Sequence, residues 1–166
     1  SIKTKFAILI LISFGSLILA QWGLEDQAGA TFYLLPTRAW ELGIGALLAI
    51  AKLSVPKSPR VRDAISLLSV LSLIACVIYY DADTKFPGFS ALPVCIATAL
   101  LIWLGGGEPG FVQRALSLRP MVFVGLISYS LYLWHWPILA FTRVWLGEVD
   151  LPPSLAIVAV SLSLLI

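Results

Sequence analysis

Of the 166 residues, 60% are hydrophobic and only 12% are charged, against roughly 45–50% and about 25% in soluble domains. So little charge cannot cover a water-soluble globule of this size, which excludes an ordinary soluble enzyme and a disordered chain. Eleven Lys and Arg against nine Asp and Glu leave a net charge of +2, so no nucleic-acid partner is expected. Two Cys outside any C-x-x-C spacing and a single His, His135, give no disulfide scaffold and no expected metal site. The fold class expected is all-α, a polytopic bundle of transmembrane helices.

A helix crossing a bilayer core of about 30 Å needs roughly 20 apolar residues. In chain order the candidates are Phe6–Trp22, Leu34–Leu53, Ala64–Tyr80, Phe89–Leu104, Met121–Phe141 and Pro153–Ile166. These make five full spans and a truncated sixth within a single membrane domain over residues 1–166, with no second domain expected. The basic flank Lys3 and Lys5 before the first run has the look of a signal peptide, but the later runs favour an internal span. Pro93 makes the fourth span short, with a bent start. None of the runs alternates with period 2, as a spanning barrel requires. Ser1 is not a Met and the chain stops within an apolar run, so a piece of a longer polytopic protein is expected.

Lys and Arg sort by side. With the N-terminus in the cytoplasm, the inner flanks hold Lys3, Lys5, Lys52, Lys57, Arg60, Arg62, Arg114 and Arg119, with only Asp63 and Glu108 as acids. The outer side holds Arg38, Lys85 and Arg143, with Glu25, Asp26, Glu41, Asp81, Asp83, Glu148 and Asp150. The positive-inside rule selects this orientation. The basic inner loop, residues 52–63, lies against lipid headgroups. The stretch GGGEPG reads as a plain turn, since no strand precedes it and no Gly-Lys-Ser/Thr follows. An interfacial helix is expected over Phe111–Leu118.

Ionisable groups inside spans are costly and point to function. In FYLLPTRAWELGIGALLAI, Pro36 suits the first turn of a helix, and Arg38 and Glu41 share a face at i,i+3 with Gly45 below them. One reading is an ion pair that anchors a helix end at the interface. The other puts both in the wall of a polar cavity, where Arg38 holds an anionic or carbonyl group and Glu41 orients a hydroxyl or accepts a proton. In GLISYSLYLWHWPIL, Ser128, Tyr132 and His135 form one helical stripe ahead of Pro137, which is expected to kink or loosen the helix. His135 is either a hydrogen-bonded structural residue or a proton-handling group in a cleft. At about 1.5 Å of rise per residue, Arg38, Glu41 and His135 all fall within the outer roughly 10 Å of the membrane. Cys76 and Cys95 lie in outer halves of antiparallel neighbours, either as free buried thiols or as a disulfide.

The segments FYLLPTRAWELGIGALLA, FPGFSALPV and FVGLISYSLYLWHWPIL, in that order, resemble three regions of the acyltransferase family 3 membrane proteins, a family that includes bacterial O-acetylases of O-antigen and peptidoglycan. The wording of PTRAWELGIGALLA and YSLYLWHWP is most like the branch often followed by a periplasmic SGNH-type hydrolase domain. The resemblance implies about ten helices in the bacterial inner membrane. It implies acyl transfer, commonly of acetyl, from cytoplasmic acyl-CoA as donor substrate to a hydroxyl of an extracytoplasmic glycan, with no bound cofactor. The family's catalytic His stands on its first membrane helix, and Phe6–Trp22 has no His to match it. No catalytic residue is therefore assigned here, and the piece is expected to be inactive alone. Arg38, Glu41, Tyr132 and His135 are the candidate substrate or cavity residues. The alternative is a transporter or flippase using intramembrane Arg, Glu and His, against which the lack of an inverted repeat counts.

Overall fold

The computed structural model describes residues 2–26, 28–81 and 84–146, and all regular structure among them is helical. Two compact units meet between Gln113 and Arg114. The first contains α1 (Ile2–Asp26), α2 (Ala28–Tyr33), α3 (Leu35–Ala51), α4 (Pro59–Tyr79) and α5 (Leu92–Gly105). A 3-10 turn, Phe89–Ala91, leads into α5, and α6 (Phe111–Leu116) begins at the end of the unit. Helix α3 packs against α1 on one side and α5 on the other, and α5 packs against α4. The second unit carries α7 (Arg119–Leu146). The expected sixth span, 153–166, lies outside the described residues.

Proline starts three of these helices. Pro36, Pro59 and Pro93 each sit in a first turn, where the missing N–H has no intrahelical partner to lose and φ is already helical. Leu34 and Ser58, before α3 and α4, are extended (ψ 133° and 119°). Helix α3 stops at Lys52, which adopts the left-handed conformation at φ 44° and ψ 46°. Glycines 105–107 end α5. The stop at Lys52 ends the expected second span two residues early, while α4 starts at Pro59 where Ala64 was expected and α5 starts at Leu92 where Phe89 was expected. Helices α3 and α5 have 17 and 14 residues, about 26 and 21 Å at 1.5 Å per residue. Among the described residues two helices, Ile2–Asp26 and Pro59–Tyr79, are long and apolar enough to cross a membrane. Helix α7 runs on through Pro137 for 28 residues, longer than the expected Met121–Phe141. The short α2 was not expected at all.

The first unit inverts the polarity of a soluble domain. Ser13, Ser16, Thr31, Thr37, Ser66 and Ser69 are buried, while Leu11, Phe14, Leu68, Val77 and Ile78 are exposed. Apolar side chains gain nothing by leaving lipid, so helices in a bilayer associate through small residues and interhelical hydrogen bonds. The α1–α3 seam has this form. Ser13, Ser16, Ala20 and Gly23 fall on one stripe of α1, and an added Cβ at Gly43 would collide with Ser13 Oγ. Ser16 meets Pro36 and Trp40, nearer the start of α3. Later residues of α1 therefore face earlier residues of α3, and the helices run antiparallel.

Candidate functional site

Arg38 and Glu41 come together on the first turns of α3 as their spacing requires. Arg38 Nη2 and Nε both donate to Glu41 Oε2, at 3.2 and 3.4 Å. Among the described residues no hydrogen bond falls on Oε1. The guanidinium also lies 5.3 Å from the Phe32 ring centroid, within the range of a cation–π contact. Arg38 is 40% exposed and Glu41 only 22%. Glu41 is the more enclosed because it stands in the wall of a cleft of about 280 Å³ between α3 and α5.

That cleft is lined by Glu41, Ile44, Gly45 and Leu48 from α3 and by Cys95, Thr98 and their neighbours from α5. It is apolar apart from Glu41, Thr98 and the Cys95 thiol. A Cβ added at Gly45 would meet nothing within 4 Å. Gly45 thus leaves open space below the ion pair, on the face it was expected to share with Arg38 and Glu41.

The adjoining face of α3 is closed. Trp40, 2% exposed, forms a buried cluster with Ala20 of α1 and Ala91, and Leu17, Ile44, Phe86, Leu92 and Cys95 pack on it. Among the described residues its indole N–H has no hydrogen-bond partner, so Trp40 acts here through packing. Ser16 Oγ donates to the Pro36 carbonyl (2.6 Å) and accepts from the Trp40 backbone N–H (3.0 Å). Thr37 Oγ1 lies within hydrogen-bond distance of the Thr31 and Leu34 carbonyls, which ties α3 to α2.

The segment FPGFSALPV is pinned from two sides. Gln21 Oε1 of α1 accepts the Phe89 N–H (3.0 Å), and Tyr80 Oη donates to the Ser90 carbonyl (2.6 Å). The Tyr80 ring stands edge-on to Phe86 at 5.4 Å, and the Phe86–Pro87 bond is cis. At the other end of α4 and α5, the GGGEPG turn is fixed by contacts with α4. Asp63 Oδ1 accepts the Phe111 N–H (3.0 Å), and Gln113 Nε2 donates to Ser66 Oγ (2.7 Å). Arg62, largely buried, approaches exposed Glu108 at 3.9 Å. The GGGEPG stretch forms a turn, and the helix expected from Phe111 is present as α6, two residues shorter than expected.

In the second unit, Ser128, Tyr132 and His135 all lie on α7. Ser128 Oγ donates to the Gly125 carbonyl (2.7 Å), and Tyr132 is 66% exposed. The His135 side chain lies outside the described residues. Cys76 and Cys95 are free thiols. Among the described residues no group of three His, Cys, Asp or Glu is placed to hold a metal. Sequence reasoning passed over Ser16, Trp40 and Gln21. The recurrence of small residues at 13, 16, 20 and 23 was the available signal for the first.

The described residues combine an all-helical fold, polar seams, apolar exposed faces and two helices long and apolar enough to cross a membrane, the character of a helical membrane protein. Its sequence matches the family described as "Acyltransferase domain" over residues 1–166, and the chain belongs to that family. It is 26% identical over 172 residues to the O-acetyltransferase OatA of Staphylococcus aureus, covering 99% of this chain and 28% of OatA. It is 31% identical over 107 residues to BcsY of Komagataeibacter xylinus, a protein named for membrane-bound transacylase activity, covering 64% of this chain and 26% of BcsY. YrhL of Bacillus subtilis, named for peptidoglycan O-acetyltransferase activity, is 31% identical over 117 residues, 65% of this chain and 18% of YrhL. The chain spans about a quarter of the length of the curated relatives it matches. No solved structure matches it.

Proposed function

We propose that this chain forms part of a membrane-embedded O-acyltransferase of the bacterial inner membrane. It moves an acyl group, acetyl in the simplest case, from cytoplasmic acyl-CoA to a hydroxyl of an extracytoplasmic glycan such as peptidoglycan, O-antigen or exopolysaccharide. Family membership and the O-acetyltransferase relatives support acyl transfer over the transporter reading. The observation that carries the site is Glu41 standing in the wall of the α3–α5 cleft with Arg38 bound to it.

In this reading the acceptor hydroxyl attacks the thioester carbonyl. The new O–C bond forms as the C–S bond breaks, the hydroxyl proton passes to a general base, and the thiolate leaves and is protonated as free CoA. No residue of this chain is assigned the base. Glu41 accepts a hydrogen bond from the acceptor hydroxyl on Oε1 and so aims its oxygen. Arg38, anchored through Oε2, steadies the negative charge that develops on the carbonyl oxygen or on the acceptor. The sorting of basic and acidic residues supports a position on the acceptor side, with residue 1 cytoplasmic. Tyr132 and His135 are retained as candidates of the second unit, and a periplasmic SGNH-type domain of the full-length protein is retained as a further partner.

The test is transfer of labelled acetyl from acetyl-CoA into glycan by membranes carrying the full-length protein. Arg38→Ala and Glu41→Gln should each lower transfer at least 100-fold at unchanged protein level. Wild-type transfer by either variant would overturn the site.

A further inference from the structure

We infer that Ser16, on α1, is a positioning residue for the Arg38–Glu41 pair. The inference rests on the reading of that pair as the substrate site and goes beyond it by naming what holds the pair in place. Pro36 and Trp40 are four residues apart, so the Pro36 carbonyl and the Trp40 N–H are the two ends of one helical hydrogen-bond position. The Ser16 hydroxyl reaches across from another helix and engages both ends, at 2.6 and 3.0 Å. Arg38 lies between those two residues in sequence and Glu41 follows the second. One hydroxyl therefore fixes the turn that carries the ion pair.

Two features make the contact specific to position. Ser16 is buried at 7% exposure, so water does not substitute for it. Trp40 is wedged against Ala20 and Ala91, which holds its N–H against the Ser16 oxygen. Loss of the hydroxyl frees the first turn of α3 to rotate or translate slightly. A displacement of about 1 Å in a substrate-positioning group costs as much as 100-fold in rate, so an effect on turnover is expected even though Ser16 touches no substrate.

The experiment uses the full-length protein in membranes, with labelled acetyl-CoA and a soluble glycan acceptor. Ser16→Ala should lower kcat about tenfold with KM for acetyl-CoA changed less than twofold. Ser16→Thr and Ser16→Val have nearly the same shape and differ in the hydroxyl, so Thr should recover most of the turnover and Val should not. Should both branched variants fail to accumulate, the coupling measurement decides. Arg38→Lys keeps charge and loses the fork, and adding Ser16→Ala to it should change kcat less than twofold, because the group being positioned is already altered. A full additional tenfold loss in that background would assign Ser16 a general packing role and overturn the inference. Wild-type kcat in Ser16→Ala, with Arg38→Ala and Glu41→Gln inactive, overturns the inference alone. Wild-type transfer by Arg38→Ala or Glu41→Gln overturns the site reading first and the inference with it.

Discussion

Helix α3 has a closed side and an open side, and two glycines mark them. Gly43 lies in the seam with α1, where an added Cβ would run into Ser13 Oγ. Gly45 lies in the cleft with α5, where an added Cβ would meet nothing within 4 Å. Two residues along a helix turn the side chain by about 200°, so one residue type serves opposite ends: at Gly43 absence of a side chain lets backbones meet, and at Gly45 it leaves room. Trp40 belongs to the closed side and Glu41 to the open one. The contrast teaches that the candidate chemistry of Glu41 depends on packing by its sequence neighbour, about 100° further round the helix.

The largest expected effect comes from hollowing out the closed side. Trp40→Ala should destabilise the full-length protein by about 3–5 kcal/mol, read as a fall in the unfolding midpoint of the detergent-solubilised protein. Trp40→Phe should cost well under half of that, because the indole N–H it removes has no partner among the described residues. An equal loss in both variants would show that the N–H matters more than the bulk.

A paired substitution then sharpens the contrast between the two glycines. Gly43→Val should destabilise by about 1–3 kcal/mol through overpacking against Ser13. Gly45→Ala should shift stability by no more than about 1 kcal/mol, and in the favourable direction, since Ala is the better helix former. The same unfolding assay compares them. Equal effects at the two positions would erase the distinction between seam and cleft. The smallest effect is expected at Gln21→Ala, which removes one side-chain bond to the Phe89 N–H and should cost about 1 kcal/mol, while leaving the α1–α3 seam intact.

Much of the candidate site was legible because it is local. Pro36 announced where α3 begins, and the i,i+3 spacing of Arg38 and Glu41 required that they share a face with Gly45. The order of PTRAWELG, FPGFSALPV and YLWHWP carried the family. The span lengths were less legible. Apolar Leu53 follows Lys52, whose left-handed turn ends α3, and α4 reaches back to Pro59 through the charged residues Arg60, Arg62 and Asp63, so hydropathy misplaced the helix ends at both places. Ser16 was hidden for a different reason. Helix α1 is apolar nearly all round, and the small residues at 13, 16, 20 and 23 mark a packed face without showing which helix lies on it, so Ser16 has no visible partner until α3 is placed beside it.

The sequence by itself determined a membrane class, an all-helical fold, the start of α3 and the ion pair. Each follows from composition or from geometry within one helical turn. Tertiary structure decided that α3 lies between α1 and α5, that Trp40 closes one side, that Glu41 opens onto a cleft beside Cys95 and Thr98, and that Gln21 and Tyr80 pin the Phe86–Ala91 segment. These depend on which small residues allow two backbones to approach. In an apolar surrounding, where burial of hydrophobic side chains gives no preference among faces, that choice is made by shape and by a few interhelical hydrogen bonds between residues distant in sequence.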